Sequence, residues 1–316
     1  MGEERPFRGV FAIPPTPFTD DDSIDEESLR RCVRFCLAAG VQGLVGPVNA
    51  SESIELTDAE RFRFAEIVVE ETAGRVPVII GVSGTSNAAA AQFAHHAASI
   101  GADAVIAMPP YIKRGDPDEI VGFYAHVSSA AGVLPMWIQD YVEPIGTPMP
   151  PVLIVRVLRE VPNACYLKEE TAYAPRMMSA VRQLAGHSLK GMMGGMGGRH
   201  MIEEHRRGSI GTMPACEVAE VHVRIWQALE RGDEPAARRM HHALLPLLIY
   251  EAMYPDAVHK EVLRRRGVIR SARTRAPDAG RLDAENHREL DRLLGELAPL
   301  LSTHPGLAEA PADWVG

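Results

Sequence analysis

The chain has 316 residues, 46% of them apolar and 24% charged, enough apolar side chains for a substantial core. Its net charge of −9 is spread along the chain, and no basic patch or stripe suited to nucleic-acid phosphates is present. No uninterrupted apolar run approaches the roughly 18 residues of a membrane helix, and MGEERPFRGV at the start lacks the apolar stretch of a secretory signal.

Along the chain, short β-rich runs alternate with stretches of helical periodicity, the pattern of parallel βα units. The predicted strands are Val10–Ile13, Gly43–Gly46, Val78–Val82, Ala104–Met108, Met136–Gln139, Cys165–Lys168, Leu189–Met192 and Ser209–Met213. Asp25 is placed to cap the first helix, and Thr57 with Glu60 spells a T-x-x-E capping box at the start of the second. Gly40, Gly101, Gly132, Gly186 and Gly208 fall where helices should stop, because glycine enters the left-handed region without a Cβ penalty. An open doubly wound sheet also alternates. Eight units with no G-x-G-x-x-G after the first strand favour a closed (β/α)8 barrel.

The barrel is expected over 1–231. Beyond it, Glu234–Tyr250, Ala252–Arg266 and Asp283–Ala298 read as helices of a C-terminal extension, 232–316, joined by the polar SARTRAPDAG at 271–280. The four cysteines, at 32, 36, 165 and 216, form no CxxC and no dense spacing, which points to a reducing cytoplasm. Cys32 and Cys36, four apart on one helix, read as core.

Barrel enzymes carry their chemistry at the carboxyl ends of strands. That rule selects Pro14–Pro17, Asn49–Glu52, Ser83–Thr85, Pro109–Tyr111, Gln139–Tyr141, Lys168–Thr171 and Gly194–Gly198. Only four lysines occur: Lys113, Lys168, Lys190 and Lys260. Lys113 in a loop and Lys260 in HKEVLRRRG read as solvated. Lys168 closes the apolar strand NACYLK, where desolvation lowers an amine's pKa and lets it attack a carbonyl. A structural ion pair of Lys168 with Glu169 or Glu170 is the alternative, and Lys190 is a second candidate nucleophile. Histidines offer no metal spacing at the strand ends: His95–His96 and His241–His242 are adjacent within helices, and His200 stands without a partner. GGMGG at 194–198, with Gly195 in it, is a tight loop or a backbone cradle for a carboxylate or phosphate.

These pieces, in order, resemble the dihydrodipicolinate synthase/N-acetylneuraminate lyase superfamily over about residues 7–300. They are GVFAIPPTPF (9–18), SESIELTDAER (51–61), RVPVIIGVSGTS (75–86), GADAVIAMPPY (101–111), LPMWIQD (134–140), the Lys168 strand and GSIGTMP (208–214). The resemblance implies an eight-stranded barrel and a Schiff-base lysine at Lys168. It also implies no metal or organic cofactor, a small 2-oxo acid as substrate, and a tetramer of two tight dimers.

Departures narrow the reading. The superfamily's relay tyrosine falls on Gln139, its Thr-Thr pair on Asn49 and Ala50, and a second tyrosine on Ile112. Val142-Glu143-Pro144 stand where the synthase has its carboxylate-gripping arginine. The chain is more similar to the 2-keto-3-deoxy-pentonate dehydratases of sugar-acid oxidation, typified by L-2-keto-3-deoxyarabonate dehydratase. The shared residues are Asn49, Ser51, Glu52, Thr57–Arg61, Met108–Tyr111, Gln139, Asp140, Lys168, Glu170, Thr171 and Arg265–Ile269, while Tyr141-Val142 replace the usual A-P.

By that resemblance, Lys168 is the nucleophile, with Glu170 the leading acid/base and Glu52 and Tyr111 weaker candidates. Asn49, Ala50, Ser51, Glu52, Gln139, Asp140, Thr171 and Gly195 are expected to bind substrate. Dehydration is expected because Gln139 has no pKa useful for proton transfer. A retro-aldol lyase or hydratase-aldolase, a condensing synthase and a non-catalytic 2-oxo-acid sensor are the alternatives.

Overall fold

The computed structural model describes residues 7–141, 147–275 and 281–302. Eight parallel strands close into a barrel in the order β1 to β8, which is the expected (β/α)8 architecture. The strands are β1 Gly9–Ala12, β2 Gly43–Gly46, β3 Val78–Gly81, β4 Ala104–Ala107, β5 Met136–Asp140, β6 Ala164–Glu169, β7 Gly191–Gly194 and β8 Gly211–Thr212.

Helices α1 Glu26–Ala38, α2 Asp58–Thr72, α3 Asn87–Ser99, α4 Pro117–Ala131, α5 Pro151–Glu160, α6 Ala174–Ala185, α7 Met201–Arg206 and α8 Ala219–Glu230 follow strands β1 to β8 in turn. The chain then continues through α9 Glu234–Glu251, α10 Pro255–Arg265 and α11 Ala284–Leu297. No helix among the described residues is long and apolar enough to cross a membrane.

Local chemistry accounts for the boundaries. The Asp25 side chain accepts from Ser28 N at the start of α1, and Thr57 and Glu60 close a reciprocal capping box at α2. The five predicted stop glycines all adopt positive φ, from 57° at Gly186 to 89° at Gly208. Strand ends shifted more. β7 begins two residues later than expected, leaving Lys190 exposed before it, although Lys190 N still donates to Cys165 O. β8 shrinks to two residues, although Ile210 N still donates to Met192 O and Met213 N to Gly194 O on either side of it; the Ser209 hydroxyl also donates to Met192 O and Gly211 O.

The chain forms two compact units. One comprises Pro77–Met213 with the described Phe7 and Arg8, and contains β3 to β8. The other comprises Gly9–Val76 and the chain from Pro214 on, and contains β1, β2 and helices α8 to α11.

Within the first unit, side chains alternate across the strands. Trp137 stacks on Tyr166 with centroids 4.5 Å apart, and Phe7 meets both rings edge-on at 6.0 and 5.3 Å. Each ring pair of this kind contributes about 0.5–1.5 kcal/mol beyond its buried area. Trp137 and Tyr166 lie two residues before Gln139 and Lys168 on their strands. The aromatic layer therefore forms an apolar floor on the side from which the lysine projects.

Candidate active site

Strands β5 and β6 are paired with Gln139 opposite Lys168 and Asp140 opposite Glu169. Alternation sends the first pair to one side of the sheet and the second pair to the other. Glu204 of α7 lies against Gly194, the residue paired with Glu169, so the Asp140–Glu169 side faces the helical layer. Lys168 and Gln139 face the barrel interior.

On the interior side, Lys168 is 2% exposed and its Nζ lies 3.0 Å from Glu170 Oε2. The same oxygen accepts from Gln139 Nε2 at 2.6 Å, and Glu170 Oε1 accepts from Met196 N at 3.3 Å. Glu170 N in turn donates to Asp140 O at 2.9 Å, which continues the strand contact one residue past β6. In the GGMGG loop one backbone N–H, that of Met196, meets a carboxylate, and that carboxylate is the chain's own Glu170. A Cβ on Gly195 would come within 2.1 Å of Glu170 Oε1, so the missing side chain is what admits this carboxylate. The result is a buried amine beside a carboxylate held by three donors, a pair able to exchange a proton.

On the helical side, Thr171 turns away from the interior. Its N–H and hydroxyl both donate to Glu169 Oε1, at 2.9 and 2.5 Å. Burial, with the neighbouring Glu169 charge, pushes the Asp140 carboxyl up to about 9. Burial also lifts Glu204 to about 8, again helped by Glu169, and Glu169 to about 7 against the lowering effect of its Thr171 bonds. Both oxygens of Asp140 and of Glu204 lack hydrogen-bond partners among the described residues. Asp140 and Thr171, expected at the substrate, lie behind the lysine strand instead, Asp140 in a layer of carboxyl groups with Glu169 and Glu204 and Thr171 bonded to Glu169. Glu204 carries no sequence signal that would have singled it out.

In the second unit, Asn49–Ser51 form a single helical turn after β2. The Ser51 hydroxyl donates to Pro14 O at 2.8 Å, and Ser51 O accepts from Thr16 Oγ1 at 2.6 Å. The turn is thus pinned to the chain after β1, and the Ser51 hydroxyl is occupied. Asn49 differs: its buried Nδ2 has no partner among the described residues, leaving a donor for a ligand oxygen. Glu52, with φ 53°, directs its carboxylate to Lys260 Nζ, and its other oxygen accepts from Arg275 N at 2.8 Å.

That contact corrects the reading of Lys260 as solvated. It is 0% exposed, donates to Arg273 O at 2.7 Å and sits 4.2 Å from the centroid of Phe18. The basic face of its helix misled: the arginines around it are turned to acids such as Glu261 and Glu220, while the lysine points inward.

Lys113 is exposed, as expected. Lys190 is also exposed and precedes β7, at the opposite end of that strand from the loops that carry barrel chemistry, which removes it as the second nucleophile. Tyr111 is half-buried in the loop after β4. Val142-Glu143-Pro144 lie outside the described residues. Burial lowers the pKa of His200, and Cys32 and Cys36 are buried as expected.

Comparison with known proteins bears on the family and the fold. The model of the dihydrodipicolinate synthetase family matches residues 6–297. L-2-keto-3-deoxyarabonate dehydratase of Azospirillum brasilense is 32% identical over 93% of this chain and 96% of its own length. The 4-hydroxy-tetrahydrodipicolinate synthase of Methanosarcina mazei is 29% identical over 77% of this chain and 82% of its own. Among solved structures, a putative dihydrodipicolinate synthetase from Pseudomonas aeruginosa superposes with a TM-score of 0.86 at 28% identity, covering 92% of this chain and 99% of that one. With a closed barrel, a lysine at the end of its sixth strand and a family match across nearly the whole chain, this protein belongs to the dihydrodipicolinate synthetase family.

Proposed function

We propose that the chain is a Schiff-base lyase that removes water from a 2-keto-3-deoxy sugar acid, turning a 2-keto-3-deoxy-pentonate into 2-oxoglutarate semialdehyde. The observation that carries the reading is the Lys168–Glu170 pair, 3.0 Å apart and buried at a strand end, with Gln139 bonded to the same carboxylate. The likeness to an L-2-keto-3-deoxyarabonate dehydratase over 93% of the chain supports the substrate class.

Glu170 takes a proton from Lys168, and the neutral amine attacks the 2-oxo carbon and expels its oxygen as water. The iminium acidifies the protons on carbon 3. Glu170 removes one and then returns it to the hydroxyl leaving carbon 4, so the second water departs. Hydrolysis of the iminium consumes one water and restores Lys168, for a net loss of one water. Loss of a carbon-5 proton and gain of one at carbon 3 turn the new alkene into a carbon-5 enol, which relaxes to the aldehyde. Gln139 holds Glu170 in place but does not move protons itself. The carboxyls of Asp140, Glu169 and Glu204 support the strand that bears the lysine.

Product identity tests the reading. With a 2-keto-3-deoxy-pentonate, the expected product is the semialdehyde. Pyruvate plus a two-carbon aldehyde would replace dehydration with retro-aldol cleavage. Binding without turnover or covalent trapping would indicate a sensor.

A further inference from the structure

We propose that Glu217, Glu251 and His259 form a binding site for one divalent transition-metal ion of the zinc type. The three come from separate segments of the second unit: the chain leading into α8, the last residue of α9, and α10. One ligand atom from each lies within 4.8 Å of those of the other two. All three residues are buried, at 1%, 4% and 8% exposure.

Two features point to an ion. Glu217 Oε2 and His259 Nδ1 have no hydrogen-bond partner among the described residues, although their side chains are nine-tenths or more buried, and His259 Nε2 meets Glu251 Oε2 only at 3.7 Å. A buried polar atom left unpaired costs about 1–3 kcal/mol, and more when charged. The second feature is charge. Two carboxylates brought together away from water repel and lose solvation, and a divalent cation neutralises both. Glu251 ends an 18-residue helix, whose carbonyl end adds negative potential where the cation would sit.

The donor set selects the ion class. Carboxylates alone suit magnesium or calcium, whereas an added imidazole favours zinc and its first-row neighbours. Three protein ligands leave a fourth position for water. The ion would tie the junction of α9 and α10 to the segment before α8, and no step at Lys168 passes through it.

Tag-free full-length protein, purified without chelator, should retain about one equivalent of zinc per chain by elemental mass spectrometry. After chelator treatment, added zinc chloride should bind saturably and raise the Tm, and magnesium chloride should not. Glu217→Gln and His259→Gln should each weaken zinc binding by more than the roughly 10- to 100-fold typical of losing an outer partner. The proposal is overturned if wild-type protein neither retains zinc nor binds it saturably, which would leave a proton shared among the three groups. Zinc binding unchanged in either folded variant would overturn it equally.

Discussion

Two lysines are buried in this chain, and they are built for different ends. Lys260 is enclosed on every side by fixed partners: the Glu52 carboxylate, the Arg273 carbonyl and the face of Phe18. Lys168 has Glu170, and among the described residues its Nζ makes no other polar contact. Glu170 itself is shared with Gln139 and Met196 N. Burial alone therefore does not mark a nucleophile. An ammonium saturated by partners is a structural cation, while an amine with one proton-accepting neighbour can change its protonation and bonding state.

The largest effect expected from this contrast is at Lys168 itself. Lys168→Ala should lower turnover by roughly 10,000-fold or more and abolish the mass adduct formed with pyruvate and borohydride. An adduct persisting at another lysine would remove the distinction between the two sites.

Glu170→Gln keeps the amine but removes its base, so turnover should fall about 100- to 10,000-fold. Borohydride trapping at Lys168 should continue, though slower. Full activity in this variant would pass the base role to another group, with Tyr111 first in line.

Lys260→Met should act on stability instead. It strands Glu52 as a buried charge, a change that typically costs about 3–5 kcal/mol. Denaturant titration should show the loss, and adding Glu52→Gln should recover part of it. The folded variant should still trap substrate at Lys168. Loss of trapping in folded protein would show that Lys260 has a part in the chemistry.

The smallest effect concerns the carboxyl layer behind Lys168. Asp140, Glu204 and Glu169, raised to about 9, 8 and 7, keep protons in the folded chain that the unfolded chain releases near pH 4. Their contribution to stability is full below about pH 4 and is lost as the pH climbs through 7 to 9. Asp140→Asn should flatten that decline, raising the Tm at pH 9 by about 2–4 °C relative to wild type. Parallel curves for the two proteins would show that Asp140 is ionised throughout this range.

Much of the site was legible in the sequence for local reasons. Lys168 and Glu170 are two residues apart on an extended chain, so alternation alone puts them on one side. The same rule, applied across the pair, would have turned Asp140 and Thr171 away from Lys168. The motif resemblance drew them to the substrate instead, and the register of β5 against β6 returned them to Glu169. The carboxylate that GGMGG meets is the chain's own Glu170, through Met196 N alone, and that contact depends on how β7 meets β6.

The eight-fold alternation, the helix caps at Asp25 and Thr57, the glycine stops and the placing of Lys168 at a strand's end can all be read from the residue order. All of these follow from side-chain periodicity and backbone preference within a few residues. That Lys260 meets Glu52, that Glu204 lies against Gly194, and that Glu217, Glu251 and His259 converge emerges only once the chain is folded. Those contacts join segments far apart in the chain. Which charge ends up beside which is set by strand register and helix packing, and neither leaves a periodic mark in the sequence.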